Sequence, residues 1–100
     1  MRVLIPNKKF IADLEKVKKN SALIKKIANF LKFLEANPLH PGLNIERIAN
    51  DPTAWSARVD LKYRISFEPS AFRANDAPDW TCPVNLLRIL DHDDLYKTPH

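Results

Sequence analysis

Apolar and polar residues follow a helical period in the first third of the chain. Phe10, Leu14 and Val17 recur at the spacing of one helical face, while most of the lysines fall elsewhere. Asn7 precedes this pattern and can cap the first turn of the helix. Before it, "RVLI" at residues 2–5 is a short run rich in β-branched side chains, which predicts a first strand.

A second, longer helix is predicted after Asn20 and Ser21, which interrupt the first helix and provide a new cap. We expect it to end at Asn37, because Pro38 disfavours helical geometry in the residue before it. So short a connection makes the two helices an antiparallel hairpin. The apolar stripe of the second helix consists of Leu23, Ile24, Ile27, Phe30, Leu31 and Leu34.

The period changes to two after a polar loop at residues 37–44. Residues 55–60 and 63–68 each alternate apolar and polar positions, which predicts the two strands of a β-hairpin. "VNLLRILD" at residues 84–91 is the most apolar segment and favours a central strand that is buried on both faces. "NIERIA" at residues 44–49 is a weaker strand candidate.

These elements predict a single α+β domain over residues 1–100. The expected order is β-α-α-β-β-β, in two layers, with the N-terminal helical hairpin packed on one face of a mostly antiparallel sheet. The other face of the sheet is then available for function. A chain of 100 residues can bury one core and is too short for two.

Composition places the chain among globular proteins. Apolar residues make up 45% of the sequence, and no apolar run approaches the roughly 20 residues that cross a bilayer. The start, "MRVLIPNKKF", lacks the basic and then apolar order of a signal peptide. Cys82 is the one cysteine of the sequence, so no internal disulfide can form. We therefore expect a cytoplasmic protein without a membrane segment.

Positive charge is concentrated in the helical part of the sequence. Residues 1–35 contain nine lysines and arginines against three acidic residues, whereas residues 36–100 contain seven against nine. Lysines on the wet face of a helix serve solubility in most proteins, and a surface that binds a polyanion is the alternative. Both interpretations stay open at the level of sequence.

One register of the hairpin buries the apolar residues of both strands together. Val59 then pairs with Tyr63, and residues 60–62 form a three-residue loop. This register puts Arg58 directly opposite Arg64 on the exposed face of the hairpin.

Two arginines that face each other across a strand pair repel, so this position favours an anionic partner. One interpretation is that a diagonal carboxylate, Asp60 or Glu68, neutralises the arginines. The other is a phosphate clamp, for which the planar, bidentate guanidinium is well suited.

The final predicted strand adds a histidine. If Leu87 and Ile89 pack under the helices, strand alternation brings Arg88 and His92 to the side of the arginine pair. A histidine, with a pKa of about 6.5, is the usual general acid or base at neutral pH. A surface or capping role for His92 is the simpler alternative.

The segment "DHDDLYK" at residues 91–97 suits a metal site, an acid/base site or an acidic tail. Neighbouring residues of a strand point in opposite directions, so a metal ion would need ligands from elsewhere. His40 and His100 lie in a loop and at the terminus. We expect no metal and no cofactor. The sequence has neither a Gly-rich phosphate loop nor a nucleophile elbow.

Together these features resemble the RelE/ParE superfamily of toxins from bacterial type II toxin-antitoxin systems, in particular its YoeB-like and HigB-like branch. The resemblance covers nearly the whole chain except residues 69–83, and it implies the RelE/ParE-like fold, which is also described as microbial RNase-like. It rests on the lysine-rich helical hairpin, "HPGL" at residues 40–43, "WSARVDLKYRISFE" at residues 55–68 and "HDDLYK" at residues 92–97.

The resemblance implies an mRNA endoribonuclease, or mRNA interferase, that represses translation. RelE-type members cleave mRNA in the ribosomal A site without a metal ion, by attack of a ribose 2′-hydroxyl on the adjacent phosphate. An antitoxin protein silences them. The partners implied for this chain are therefore mRNA, the ribosome and a cognate antitoxin, with which it would form an oligomer.

Carried over residue by residue, the resemblance assigns catalysis to five positions. Arg58 and Arg64 match arginines that bind the scissile phosphate and its transition state. Glu46 matches the catalytic carboxylate of the YoeB-like branch, and Glu46 or His92 would remove the 2′-hydroxyl proton. His92 or Tyr96 would protonate or orient the leaving oxygen.

Two further residues, Arg88 and Lys62, are expected to bind the substrate. The three aspartates of the last segment would repel RNA unless at least one orients His92 or pairs with an arginine. Two alternatives remain within the same resemblance. One is a ParE-like inhibitor of DNA gyrase, which would not require His92, and the other is an inactive member that holds an antitoxin or binds DNA.

Overall fold

The computed structural model describes residues 3–37, 45–48, 54–75 and 77–97, except for the side chains of His92, Asp93 and Tyr96. In chain order, the described elements are β1 (Leu4–Pro6), α1 (Lys8–Val17), α2 (Ser21–Ala36), β2 (Glu46–Arg47), β3 (Trp55–Arg58), β4 (Tyr63–Pro69), β5 (Val84–Asp91) and α3 (His92–Lys97).

The strands form one sheet in the order β1-β5-β4-β3-β2. β1 runs parallel to β5, and the other neighbouring strands are antiparallel. The described order is β-α-α-β-β-β-β-α, one strand and one helix more than predicted, and the expected α+β fold and mostly antiparallel sheet are confirmed. So is the central position of β5, which lies between β1 and β4. The weaker strand candidate is also confirmed, as the two-residue β2 at the edge.

Both helices of the N-terminal hairpin begin at the predicted caps. The Oδ1 atom of Asn7 accepts a hydrogen bond from the Phe10 N–H at 2.7 Å, and that of Asn20 accepts one from the Leu23 N–H at 3.1 Å. Each cap thereby satisfies an N–H group that the first helical turn leaves without a partner. Within the described residues, no helix is both long and apolar enough to span a membrane.

The main core lies between the helical hairpin and one face of the sheet. Its buried members are Phe10, Leu23, Ile27, Phe30, Leu34, Ala57, Ile65, Phe67, Val84, Leu86 and Ile89. Trp80, from the long connection before β5, packs against Phe67 and Trp55 with ring centroids 6.0 and 5.8 Å apart. The connection therefore contributes to the core at this end of the sheet.

The opposite face of the sheet, which was expected to be available for function, is partly covered. Ile48, Ala54, Leu87 and Leu95 are buried together there. Leu95 belongs to α3, which the sequence pattern did not indicate. The strand ends at Asp91, whose Oδ1 accepts a hydrogen bond from the Asp94 N–H at 2.9 Å. An aspartate followed by further acids in the next turn is a helix-start signal, and here it outweighs strand alternation.

A bulge in β5 corrects a second expectation, that Leu87 and Ile89 share a face. Ser66 pairs with Arg88 but Phe67 pairs with Leu86, so Leu87 is an extra residue on β5. Alternation is interrupted at such a point. Ile89 consequently joins the main core under the helices, while Leu87 joins the cluster on the opposite face.

Candidate active site

The structure confirms the predicted register of the β3–β4 hairpin. Arg58 pairs with Arg64, and the Val59 N–H donates to the Tyr63 carbonyl at 3.0 Å. The loop is closed by Asp60, whose Oδ1 accepts hydrogen bonds from the N–H groups of Lys62 and Tyr63 at 2.9 and 2.6 Å. The two guanidinium groups therefore originate at directly opposed positions, near the loop end of the hairpin.

Glu46 supplies a carboxylate beside the arginine pair. Its Oε2 atom lies 3.4 Å from Nη1 of Arg64, so the neighbouring β2 contributes the counter-charge. The two partners differ in exposure, because the Arg64 side chain is 9% exposed and that of Glu46 is 58% exposed. Asp60, one of the two carboxylates that the sequence suggested for this role, instead holds the loop.

Arg58 is exposed at the outer side of this group. Within the described residues, its guanidinium has no hydrogen-bond or ion-pair partner. Arg58, Arg64 and Glu46 together carry two positive charges and one negative charge. The group therefore retains a net positive charge, and an anion that binds both guanidiniums would relieve their repulsion.

α3 lies on the same side of the sheet as these residues. Its Leu95 is buried with Leu87, and Leu90 packs against this cluster. Leu90 is in turn the ladder partner of Arg64. His92 and Tyr96 are one helical turn apart in α3. The directions of their side chains lie outside the described structure, so their catalytic roles stay predictions.

Arg88 lies in a different environment from the arginine pair. Its Nε and Nη2 atoms donate to the Asp13 carboxylate of α1 at 2.7 and 3.1 Å, and the Ile89 N–H donates to the same carboxylate at 2.9 Å. The hydrogen bonds from the Arg88 guanidinium to Asp13 raise the pKa of Arg88 above its ordinary value, while burial acts in the opposite direction. A substrate could reach this guanidinium only in competition with a buried carboxylate.

Lys62, the second expected substrate-binding residue, is exposed in the hairpin loop. Its Nζ atom lies 5.4 Å from the centroid of the Tyr63 ring, within the range of a cation–π contact. The loop is on the same end of the hairpin as Arg58 and Arg64. Lys62 can therefore extend the positive region beyond the arginine pair.

A cleft of about 170 Å³ lies where α1 meets the end of β5 and the start of α3. Lys16, Tyr63, Asp91 and Asp94 contribute to its lining. With Asp13, which also lines it, the cleft has three carboxylates against one ammonium, which makes it less suited to a phosphate than the arginine pair. Asp91 also has a structural task there, as the cap of α3.

Sequence reasoning missed the structural role of Asp13. It lies between Phe10 and Val17 on the apolar face of α1 and is 2% exposed. An acid at such a position signals a buried partner, although not which one.

Among the side chains that the structure describes, no three His, Cys, Asp or Glu residues are grouped closely enough to hold a metal ion.

No protein-family model matches the sequence, and no curated protein matches it. Solved structures do match, over almost the whole chain. A YoeB/ParE toxin from Agrobacterium tumefaciens is 16% identical with a TM-score of 0.70, and the alignment covers 92% of this chain and 99% of that one.

Two further toxin structures agree with this match. The E. coli DinJ–YafQ toxin-antitoxin complex gives 12% identity and a TM-score of 0.72, covering 94% of this chain and 96% of that one. A YoeB dimer from Staphylococcus aureus gives 15% identity and a TM-score of 0.70, covering 91% and 97%. The chain therefore has the fold of the YoeB, ParE and YafQ toxins, which confirms the RelE/ParE-like fold predicted from the sequence.

Proposed function

We propose that the protein is the toxin of a type II toxin-antitoxin system and cleaves mRNA without a metal ion. The observation that carries this proposal is the group formed by Arg58, Arg64 and Glu46. It combines two guanidiniums, one of them exposed, with an exposed carboxylate on the same face of the sheet. Phosphate binding and proton abstraction require these two kinds of group side by side.

In the proposed reaction, the ribose 2′-oxygen attacks the adjacent phosphorus and the bond to the 5′-oxygen breaks. The products are a 2′,3′-cyclic phosphate and a 5′-hydroxyl. Arg58 and Arg64 stabilise the negative charge that accumulates on the phosphoryl oxygens. Glu46 accepts the 2′-hydroxyl proton, and His92 or Tyr96 of α3 gives a proton to the leaving 5′-oxygen. Lys62 binds a neighbouring phosphate.

Mapping mRNA cleavage by primer extension tests the proposal. Cells expressing the wild type are expected to stop growing and to accumulate cleaved mRNA, whereas Glu46→Gln and His92→Ala should reduce cleavage strongly. Arg73→Ala is the matched control, because Arg73 is an exposed arginine of the long connection. Toxicity without cleavage would contradict the proposal, and a loss of DNA supercoiling in the same cells would favour a gyrase-directed toxin.

The proposed partners are the ribosome and a cognate antitoxin in the cytoplasm. The lysines of the helical hairpin support contacts with a polyanion or an acidic protein, since all eight are exposed, namely Lys8, Lys9, Lys16, Lys18, Lys19, Lys25, Lys26 and Lys32. The DinJ–YafQ structure is that of a toxin-antitoxin complex. Adding purified ribosomes to a cleavage assay tests ribosome dependence, and co-purification with the product of the adjacent gene tests for the antitoxin.

A further inference from the structure

A row of polar residues crosses the sheet next to the arginine pair. In the ladder, Glu46 of β2 pairs with Ser56 of β3, and Ser56 pairs with Ser66 of β4. Directly paired residues of antiparallel strands project to the same face, with Cβ atoms roughly 4.5–5.5 Å apart. The Ser56 hydroxyl is therefore a cross-strand neighbour of the Glu46 side chain, one row away from Arg58 and Arg64.

The Ser56 hydroxyl is buried without a hydrogen-bond partner. The residue is 0% exposed, and its Oγ atom has no partner in the described part of the chain. A buried hydroxyl without a hydrogen bond opposes folding, so most native hydroxyls of this kind are paired. A group that is left unpaired in the free protein is suited to acquire its partner in another state.

Glu46 is the carboxylate that could change position. Its contact with Arg64, at 3.4 Å, is longer than the roughly 2.7–2.9 Å of a strong charge-assisted hydrogen bond, and its side chain is 58% exposed. A phosphate bound to the two arginines would compete for the same guanidinium and would repel the carboxylate. Glu46 would then need another hydrogen-bond donor on its own side of the sheet.

We propose that Ser56 is a positioning residue that holds Glu46 when a phosphate occupies the arginine pair. The phosphate oxygens replace the carboxylate at Arg64, and the Ser56 O–H donates to the displaced carboxylate. Hydrogen bonds are exchanged in this step and no covalent bond changes. The inference rests on the proposed function for the role of Glu46 as the base, which Ser56 keeps oriented towards the 2′-hydroxyl.

Binding of inorganic phosphate tests the inference without requiring cleavage. We expect Ser56→Ala to weaken phosphate binding about ten- to hundredfold, the loss that accompanies removal of one hydrogen bond to a charged group. The melting temperature should not fall, because the free protein makes no hydrogen bond through this hydroxyl. Ser56→Thr, which keeps the hydroxyl, should retain most of the affinity.

Two comparisons separate positioning from a general effect of the substitution. Ser66→Ala is the matched control, since Ser66 is also 0% exposed but is one strand further from Glu46. It should leave phosphate affinity within about twofold of the wild type. In a Glu46→Ala background, Ser56→Ala should have no further effect, because its effect is transmitted by the carboxylate.

Three results would overturn the inference: wild type that does not bind phosphate, Ser56→Ala that binds it as well as wild type, or an equal loss with and without Glu46. Failure of the proposed function looks different. If Ser56 and Glu46 are coupled in phosphate binding but the wild type cleaves no mRNA on ribosomes, the inference stands and the nuclease proposal is contradicted.

Discussion

Arg88 and Arg64 lie on adjacent strands of one sheet, and both side chains are largely buried, yet their carboxylate partners differ. Arg88 makes two hydrogen bonds to Asp13, which is 2% exposed and also accepts the Ile89 N–H. The carboxylate partner of Arg64 is that of the exposed Glu46, at 3.4 Å.

The difference separates an ion pair that supports the fold from one that a ligand can open. A buried carboxylate that accepts three hydrogen bonds cannot be rehydrated when its arginine partner is removed, so breaking the pair is costly. An exposed carboxylate loses little when it moves into solvent. Burial of an arginine is therefore a poor guide to its role, and the exposure of its partner is a better one.

The largest effect is expected from Asp13→Ala. It leaves the Arg88 guanidinium and the Ile89 N–H without their acceptor in the interior, which should lower the free energy of unfolding by about 3–5 kcal/mol. Urea denaturation measures this change. Glu15→Ala, on the exposed side of the same helix, is the control and should change it by less than about 0.5 kcal/mol. Equal effects of the two substitutions would contradict a structural role for the Asp13–Arg88 pair.

Arg64→Ala should reduce mRNA cleavage about 10²- to 10³-fold, the range found when one group that stabilises a transition-state charge is removed. Primer extension with a time course measures the rate. Arg88→Ala provides the contrast, because its main effect should be on stability. A normal cleavage rate in Arg64→Ala would remove the phosphate clamp from the mechanism.

Arg58→Ala should weaken phosphate binding without lowering the stability of the fold. Its guanidinium is exposed and faces Arg64, so its removal should leave the free energy of unfolding within about 0.5 kcal/mol of the wild type. Phosphate binding should weaken about tenfold, because one of two cationic partners is lost. Titration with inorganic phosphate and urea denaturation test the two statements independently, and a large loss of stability would assign Arg58 to the fold.

Glu46→Gln should lower the free energy of unfolding by no more than about 1 kcal/mol, far less than Asp13→Ala, because the Glu46 carboxylate is exposed to solvent. Urea denaturation at low and high salt measures this change. High salt should reduce the difference in free energy of unfolding between the variant and the wild type. A loss of stability as large as that of Asp13→Ala would show that the Glu46–Arg64 pair supports the fold as much as the Asp13–Arg88 pair does.

Local signals made most of the fold predictable. Asn7 and Asn20 mark the helix starts within a few residues of the groups that they cap. The facing of Arg58 and Arg64 follows from alternation in two neighbouring strands joined by a short loop.

The predictions from sequence failed where contacts between residues far apart in the chain determine the local structure. The bulge at Leu87 depends on how β5 pairs with β4, and α3 depends on the apolar cluster that buries Leu95. Arg88 and Asp13 are 75 positions apart in the sequence, so no local pattern connects them. For the candidate site, the sequence resemblance assigned Glu46 to the same site as the two arginines. The unpaired hydroxyl of Ser56 is visible only in the structure.

The Asp13 carboxylate also has a consequence for synthesis of the chain. Its partners, Arg88 and the Ile89 N–H, are translated 75 and 76 residues after it. During translation, α1 therefore carries an acid on its apolar face that no partner neutralises until β5 has left the ribosome. Contacts between such distant residues form late in folding. The helical hairpin should thus reach its native packing only after β5 has been translated, although both of its helices are complete by Ala36.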